Sequence, residues 1–166
     1  MTAPAPIVFN SPEYASWHEA GHVEAALRCG AEIVAVNLYR DNARSYGRTR
    51  VVRDERQADE IGLGGFGVEY LLYMQDRLRK EDGSVPTEKE FIDFAVRNAT
   101  DDYTAYWARH PEAGAAMSES ERDLYFMNEA IGRAKRSVDI DLVERIAMAL
   151  LAADHLDGAG VMAALA

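Results

Sequence analysis

The segment from Ser11 to Gly30, SPEYASWHEAGHVEAALRCG, constrains this chain most, because it specifies one helix together with the polar groups that helix must bury. Ser11 supplies an N-cap oxygen, and Pro12 takes the first helical position, where its missing N–H is no loss. Gly30 fits the position just past the end, so the spacing predicts a helix from Pro12 to about Arg28. Tyr14, Trp17, Gly21 and Ala25 share a stripe with His18 and His22 by the i, i+3, i+4, i+7 rule, which turns both imidazoles toward the core.

The rest of the chain reads as more helices around a small β element. The first ten residues hold two prolines and no amphipathic period, so residues 1–10 read as an irregular arm before one domain over 11–166. EIVAVNLY at 32–39 and the β-branched run from Arg48 to Val52 predict a short hairpin. Helical spacing returns from about Asp54 to Lys80, interrupted by LGGFG at 63–67, whose glycines predict a close helix contact or a break. Thr87 with Glu90 and Ser118 with Glu121 are capping boxes for two further helices, the second ending near Ser137. A last helix runs from about Asp139 to His155, with Leu142, Ile146, Leu150 and Ala153 on one face. The expected class is mainly α with a small β-hairpin or edge strand (α+β).

Composition narrows the function classes. With 18 Lys plus Arg against 28 Asp plus Glu, the formal charge of −10 argues against a nucleic-acid partner. No run approaches the roughly 18 apolar residues of a membrane span, and MTAPAPIVFN lacks the basic start and apolar core of a signal, so a cytoplasmic chain is expected. Cys29 is the one cysteine, so any metal site must draw on His and carboxylate ligands.

His18-Glu19-Ala20-Gly21-His22 is an H-E-x-x-H segment on a predicted helix. At i and i+4 two neutral imidazoles point the same way and can approach one Zn²⁺ at about 2.0–2.1 Å. Glu19 stands beside that position, where it can take a proton from a water whose pKa the metal lowers. The plainer reading is a pair of core-edge histidines held by hydrogen bonds. Two protein ligands do not complete a catalytic zinc site, and VEAALRCG after His22 contains no histidine, so the third comes from another segment. His110 and His155 are available near helix ends, but carboxylates are better candidates: Asp101 and Asp102 together, and Glu69 after LGGFG.

ASWHEAGHVEAALRCGAEIVAVNL resembles the opening of the peptidase domain of the FtsH family of ATP-dependent zinc metalloproteases, peptidase family M41. Gly47-Arg48-Thr49 resembles that family's G-x-T, LGGFGVE its G-G-R-x-A-E, NATDDYTAYW its G-A-S-x-D helix start, and IAMALLAADHLDGAGV its closing segment. Phe66 stands where the family has Arg, Gly67 where it usually has Ala, and Asn98 where it has Gly. The resemblance implies zinc on His18, His22 and Asp102, and Glu19 as the catalytic base. Glu69 is expected as a supporting carboxylate or alternative ligand. It further implies an edge strand for an extended polypeptide substrate at Ile33, Val34, Ala35, Val36, Asn37 and Leu38.

The function expected from all of this is a zinc-dependent endopeptidase acting on unfolded or extended polypeptides. The alternative is a weakly active module of the same fold with a regulatory or adaptor role. The 166 residues hold no G-x-x-x-x-G-K-[ST] loop, so a separate unfoldase or regulatory partner is an expected associate. A monomer or small homo-oligomer is expected, with a hexamer implied only by the resemblance.

Overall fold

The computed structural model describes residues 5–166. Its centre is helix α1, Pro12–Arg28, whose residues are buried without a break from Tyr14 to Ala26. The Ser11 side chain accepts from the Tyr14 N–H, as its N-cap role predicts, and Gly30 follows with a φ of +78°. A helix buried on every face is rare in a chain of this size, and it explains why two histidines and two glutamates of α1 lie inside.

Three layers cover α1. One is a sheet of β2, Glu32–Arg40, antiparallel to β3, Ser45–Val52. The second is α2, Ala58–Met74, preceded by a 3₁₀ turn at Glu55–Gln57 that Asp54 caps. The third is α7, Ile140–Ala153. Between them lie the short strand β4, Leu78–Arg79, then α3, Glu88–Asn98, α4, Thr100–Arg109, the single turn α5, Pro111–Gly114, and α6, Glu119–Ser137. Both expected capping boxes form, at Thr87 with Glu90 and at Ser118 with Glu121. The chain closes with β5, His155–Asp157, and α8, Gly158–Leu165. The architecture is mainly helical with a small sheet, as the sequence pattern predicts.

Three local expectations are corrected. Within the arm expected over 1–10, Ile7–Val8 form strand β1, parallel to β4, and Phe9 is buried in stacked contact with Phe94 at 3.9 Å; residues 1–4 lie outside the described residues. Two prolines hide a short strand that a distant partner induces. The helix expected to reach Lys80 ends at Met74, because Asp76 takes a left-handed φ of +55° and turns the chain into β4. The helix expected to reach His155 stops at Ala153 for the same reason, Asp154 having a φ of +59°.

That second left-handed turn leads into β5 and settles which strand is central. His155 to Asp157 pair antiparallel with Asn37 to Ala35, so the sheet order is β3-β2-β5. The segment Ile33–Leu38, expected as the substrate-binding edge strand, is therefore the central strand, and its Val36 and Leu38 are core residues. The edges of this sheet are β3 and the three-residue β5, and β3 is the longer of the two.

The LGGFG segment does not break α2. Gly21 of α1 and Gly64 of α2 cross backbone to backbone: a Cβ on Gly21 would lie 2.5 Å from the Gly64 carbonyl oxygen. A Cβ on Gly65 would lie 2.6 Å from the His18 ring. The glycines thus lower the intrinsic stability of α2 in exchange for a helix approach that larger residues forbid. This approach brings Ile61 and Glu69 within reach of the α1 histidines.

Candidate metal centre

His18 and His22 are both buried, and each ring is pinned at Nδ1. The His18 Nδ1–H donates to Glu69 Oε1 at 2.6 Å, and the His22 Nδ1–H donates to the Ile61 carbonyl oxygen at 2.7 Å. A carboxylate and a carbonyl only accept, so both rings carry their proton on Nδ1 and present Nε2 as a lone pair. The two Nε2 atoms face one another at 2.9 Å. Asp102 Oδ2, from the first turn of α4, lies 3.5 Å from His18 Nε2 and 3.2 Å from His22 Nε2.

Three acceptor atoms therefore converge with no donor among them. That arrangement needs a cation or a proton at its centre. Bonds of about 2.0–2.1 Å at tetrahedral angles put two ligand nitrogens roughly 3.3 Å apart, close to the separations found here, and two imidazoles with one carboxylate suit zinc. His18, His22 and Asp102 are the residues that fit such an ion.

The electrostatics point the same way. Burial alone lowers the pKa of His18, but the charge on Glu69, hydrogen bonding to Asp102 and Glu69, and the charge on Glu19 leave it well above the ordinary value. For His22, burial is likewise outweighed by the charge and hydrogen bond of Asp102. Burial works to raise Asp102, yet the facing histidines hold it far below the usual carboxylate range. The cluster favours positive charge at its centre.

No protein-family model matches the chain, and no curated protein does either.

Glu19 is buried beside the cluster. Its Oε2 accepts from the Thr49 hydroxyl of β3 at 2.6 Å, and Gly47 packs flush against it, with no room for a Cβ. Two clefts, of about 470 and 200 Å³, meet over this carboxylate, sharing Glu19, Tyr46, Gly47, Asp101 and Asp102 in their walls. The Asp102 side chain is 38% exposed, so the centre opens to the clefts on its α4 side.

The other candidates are placed elsewhere. Asp101 lines the clefts but is absent from the converging set, since adjacent helical residues point about 100° apart. His110 binds Asp59 at 2.6 Å, beside the Arg109–Asp59 pair, and His155 binds the Asn37 side chain at 2.7 Å. Glu69 lies behind His18, on Nδ1 rather than Nε2.

Sequence reading gave no role to Thr49, to the Ile61 carbonyl or to Tyr14. Thr49 sits in the G-x-T segment, which was the available signal. No sequence signal marks a backbone carbonyl. The Tyr14 hydroxyl and Glu69 Oε2 are both buried without a hydrogen-bond partner among the described residues. Burial first, and then the negative charge of Glu69, push the Tyr14 phenol well above its ordinary pKa. Phe66 fills the space between the His18 ring, at 5.2 Å, and Phe126, at 4.6 Å.

Proposed function

We propose that this protein is a zinc-dependent endopeptidase of the FtsH peptidase type, with the ion held by His18, His22 and Asp102. The observation that carries the reading is the donor-free convergence of His18 Nε2, His22 Nε2 and Asp102 Oδ2 beside a buried glutamate at the junction of two clefts. A zinc ion at that position supplies Lewis-acid polarisation of a carbonyl oxygen and lowers the pKa of nearby water.

The chain's own residues supply the rest. Glu19 accepts the proton of the attacking water and returns it to the leaving amine. Thr49 and Gly47 hold the Glu19 carboxylate in one orientation, so the base needs little reorganisation. Glu69 and the Ile61 carbonyl fix both histidines in the tautomer that presents Nε2. Free backbone groups on the outer side of β3, which borders both clefts, suit an extended polypeptide added as a further strand, and this favours unfolded or flexible substrates. No helix among the described residues is long and apolar enough to cross a membrane. A cytoplasmic location, a separate unfoldase or regulatory partner, and a monomeric or small oligomeric state belong to the same proposal.

The test compares zinc-loaded wild type and Glu19→Gln on casein and on a quenched fluorescent peptide, with metal content measured on both. The expected outcome is equal zinc and a loss of about 10²–10⁴-fold in rate for the variant. Equal slow cleavage by both, or none by either with zinc bound, rejects the peptidase reading in favour of a regulatory module of this fold.

A further inference from the structure

The chain carries a formal charge of −10, yet residues 44–53, RSYGRTRVVR, contain four arginines and no acidic residue. This segment holds the edge strand β3, and three of its arginines, all but Arg50, border the clefts. Arg48 and Arg53 line the larger cleft on one side of the centre, while Arg44 lines the smaller on the other, joined there by Arg97 from α3.

These cations make few or only long internal ion pairs. Among the described residues Arg44 and Arg48 form none, and Arg44 reaches only the Tyr46 ring, 5.9 Å away. Arg53 and Arg97 have carboxylates no closer than 3.9 Å, at Glu55 and Asp93. Arg109, the fifth arginine of the clefts, is by contrast paired with Asp59 at 2.9 Å. A protein acidic overall thus places four arginines along one trough, two unpaired and two in long pairs, flanking the Glu19, Asp101 and Asp102 carboxylates at its middle.

We infer that the trough selects acidic polypeptide segments, with Asp or Glu side chains on both sides of the bond presented to the centre. The inference rests on the peptidase reading and names its substrate class. At about 3.3 Å per residue, residues 45–53 border an extended segment of roughly eight residues. Strand addition to β3 supplies backbone hydrogen bonds without sequence preference, and the exposed arginines supply the side-chain preference. The acidic remainder of the surface repels such a segment, so the trough is where it is drawn in. A free strand edge matches a peptide backbone and has no ladder to offer a phosphodiester, which favours polypeptide over nucleic acid.

The test is fluorescence anisotropy with zinc-loaded Glu19→Gln, which binds without turnover. The probes are fluorescein-labelled ten-residue peptides with one central sequence and Glu, Ser or Lys flanks, and a single-stranded oligonucleotide of matched charge; free zinc alone serves as the chelation control. The expected result is affinity for the Glu-flanked peptide about tenfold or more above the Lys-flanked one at low salt, mostly lost near 0.5 M salt. The preference disappears when Arg44, Arg48, Arg53 and Arg97 are all changed to Ala, and returns in part when all four are Lys. These side chains are exposed or half-buried at the rim, and circular dichroism verifies that the variants fold. Equal binding of the three peptides, a preference that survives the four Ala changes, or tighter binding of the oligonucleotide overturns the inference. Acid-selective binding without cleavage by wild type sustains the trough and rejects the peptidase reading, so the two fail separately.

Discussion

Changing Glu69 to Gln isolates the part of the site that lies behind the ligands. Glu69 is fully buried, and its Oε1 accepts the His18 Nδ1–H at 2.6 Å. Glutamine fills nearly the same volume and keeps an amide oxygen for that bond, so the fold and the histidine tautomer survive. The negative charge does not. That charge is the largest influence raising the His18 pKa against burial, and losing it makes Nε2 a weaker donor to a cation. Such carboxylate supports contribute about 10–100-fold in metal affinity, which is about 1.4–2.7 kcal/mol at 25 °C. Competition with a chromophoric zinc chelator near pH 7 measures it, with thermal denaturation of the metal-free protein as the folding control. An unchanged affinity refutes the role assigned to Glu69. Complete loss of zinc with Asp102→Ala retaining it refutes the ligand assignment, because Glu69 would then be bound directly.

Two further predictions follow from the same geometry. Gly21→Ala places a methyl group 2.5 Å from the Gly64 carbonyl oxygen, a contact that backbone must move to relieve; the expected loss is about 2–3 kcal/mol, or roughly 4–12 °C in Tm by calorimetry, and an unchanged Tm counts against the helix crossing. The pKa values of His18 and His22 are raised above the ordinary imidazole value of about 6.5, so protons compete with zinc for these rings. Protonation is lost only as pH rises through the raised values, so zinc uptake below them releases protons and tightens with rising pH. Titration calorimetry in buffers of different ionisation enthalpy reads this release, and a buffer-independent heat contradicts it.

The parts of the fold that local signals control were legible in the sequence. Ser11, Thr87 and Ser118 cap the helices they were expected to cap, because a cap depends on residues three positions apart. The buried stripe of α1 was legible from its period. The edge strand was not: EIVAVNLY advertises a strand able to pair on either side, and whether it does so depends on His155 to Asp157, a short segment more than a hundred residues away that reads as a helix end. The left-handed residues Asp76 and Asp154, which redirect the chain at both missed helix ends, carry no marking beyond being aspartates. Within the site, H-E-x-x-H named the histidines and Glu19, whereas the choice of Asp102 over Asp101 came from resemblance, since spacing leaves two adjacent aspartates equal. Only the tertiary placement of α4, which sets Asp102 against both histidines, distinguishes them. The arginine trough was invisible for a related reason, since Arg97 joins the arginines of β3 only through folding.

The central claim is that one zinc ion sits among His18 Nε2, His22 Nε2 and Asp102 Oδ2, next to Glu19. Anomalous diffraction at the zinc absorption edge, from crystals of protein loaded with one equivalent of zinc, tests it most directly. The account predicts a single strong peak about 2.0–2.2 Å from each of those three atoms, with Glu69 on the far side of the His18 ring. A peak coordinated by Glu69 instead of Asp102, or no peak between the two histidines, contradicts it.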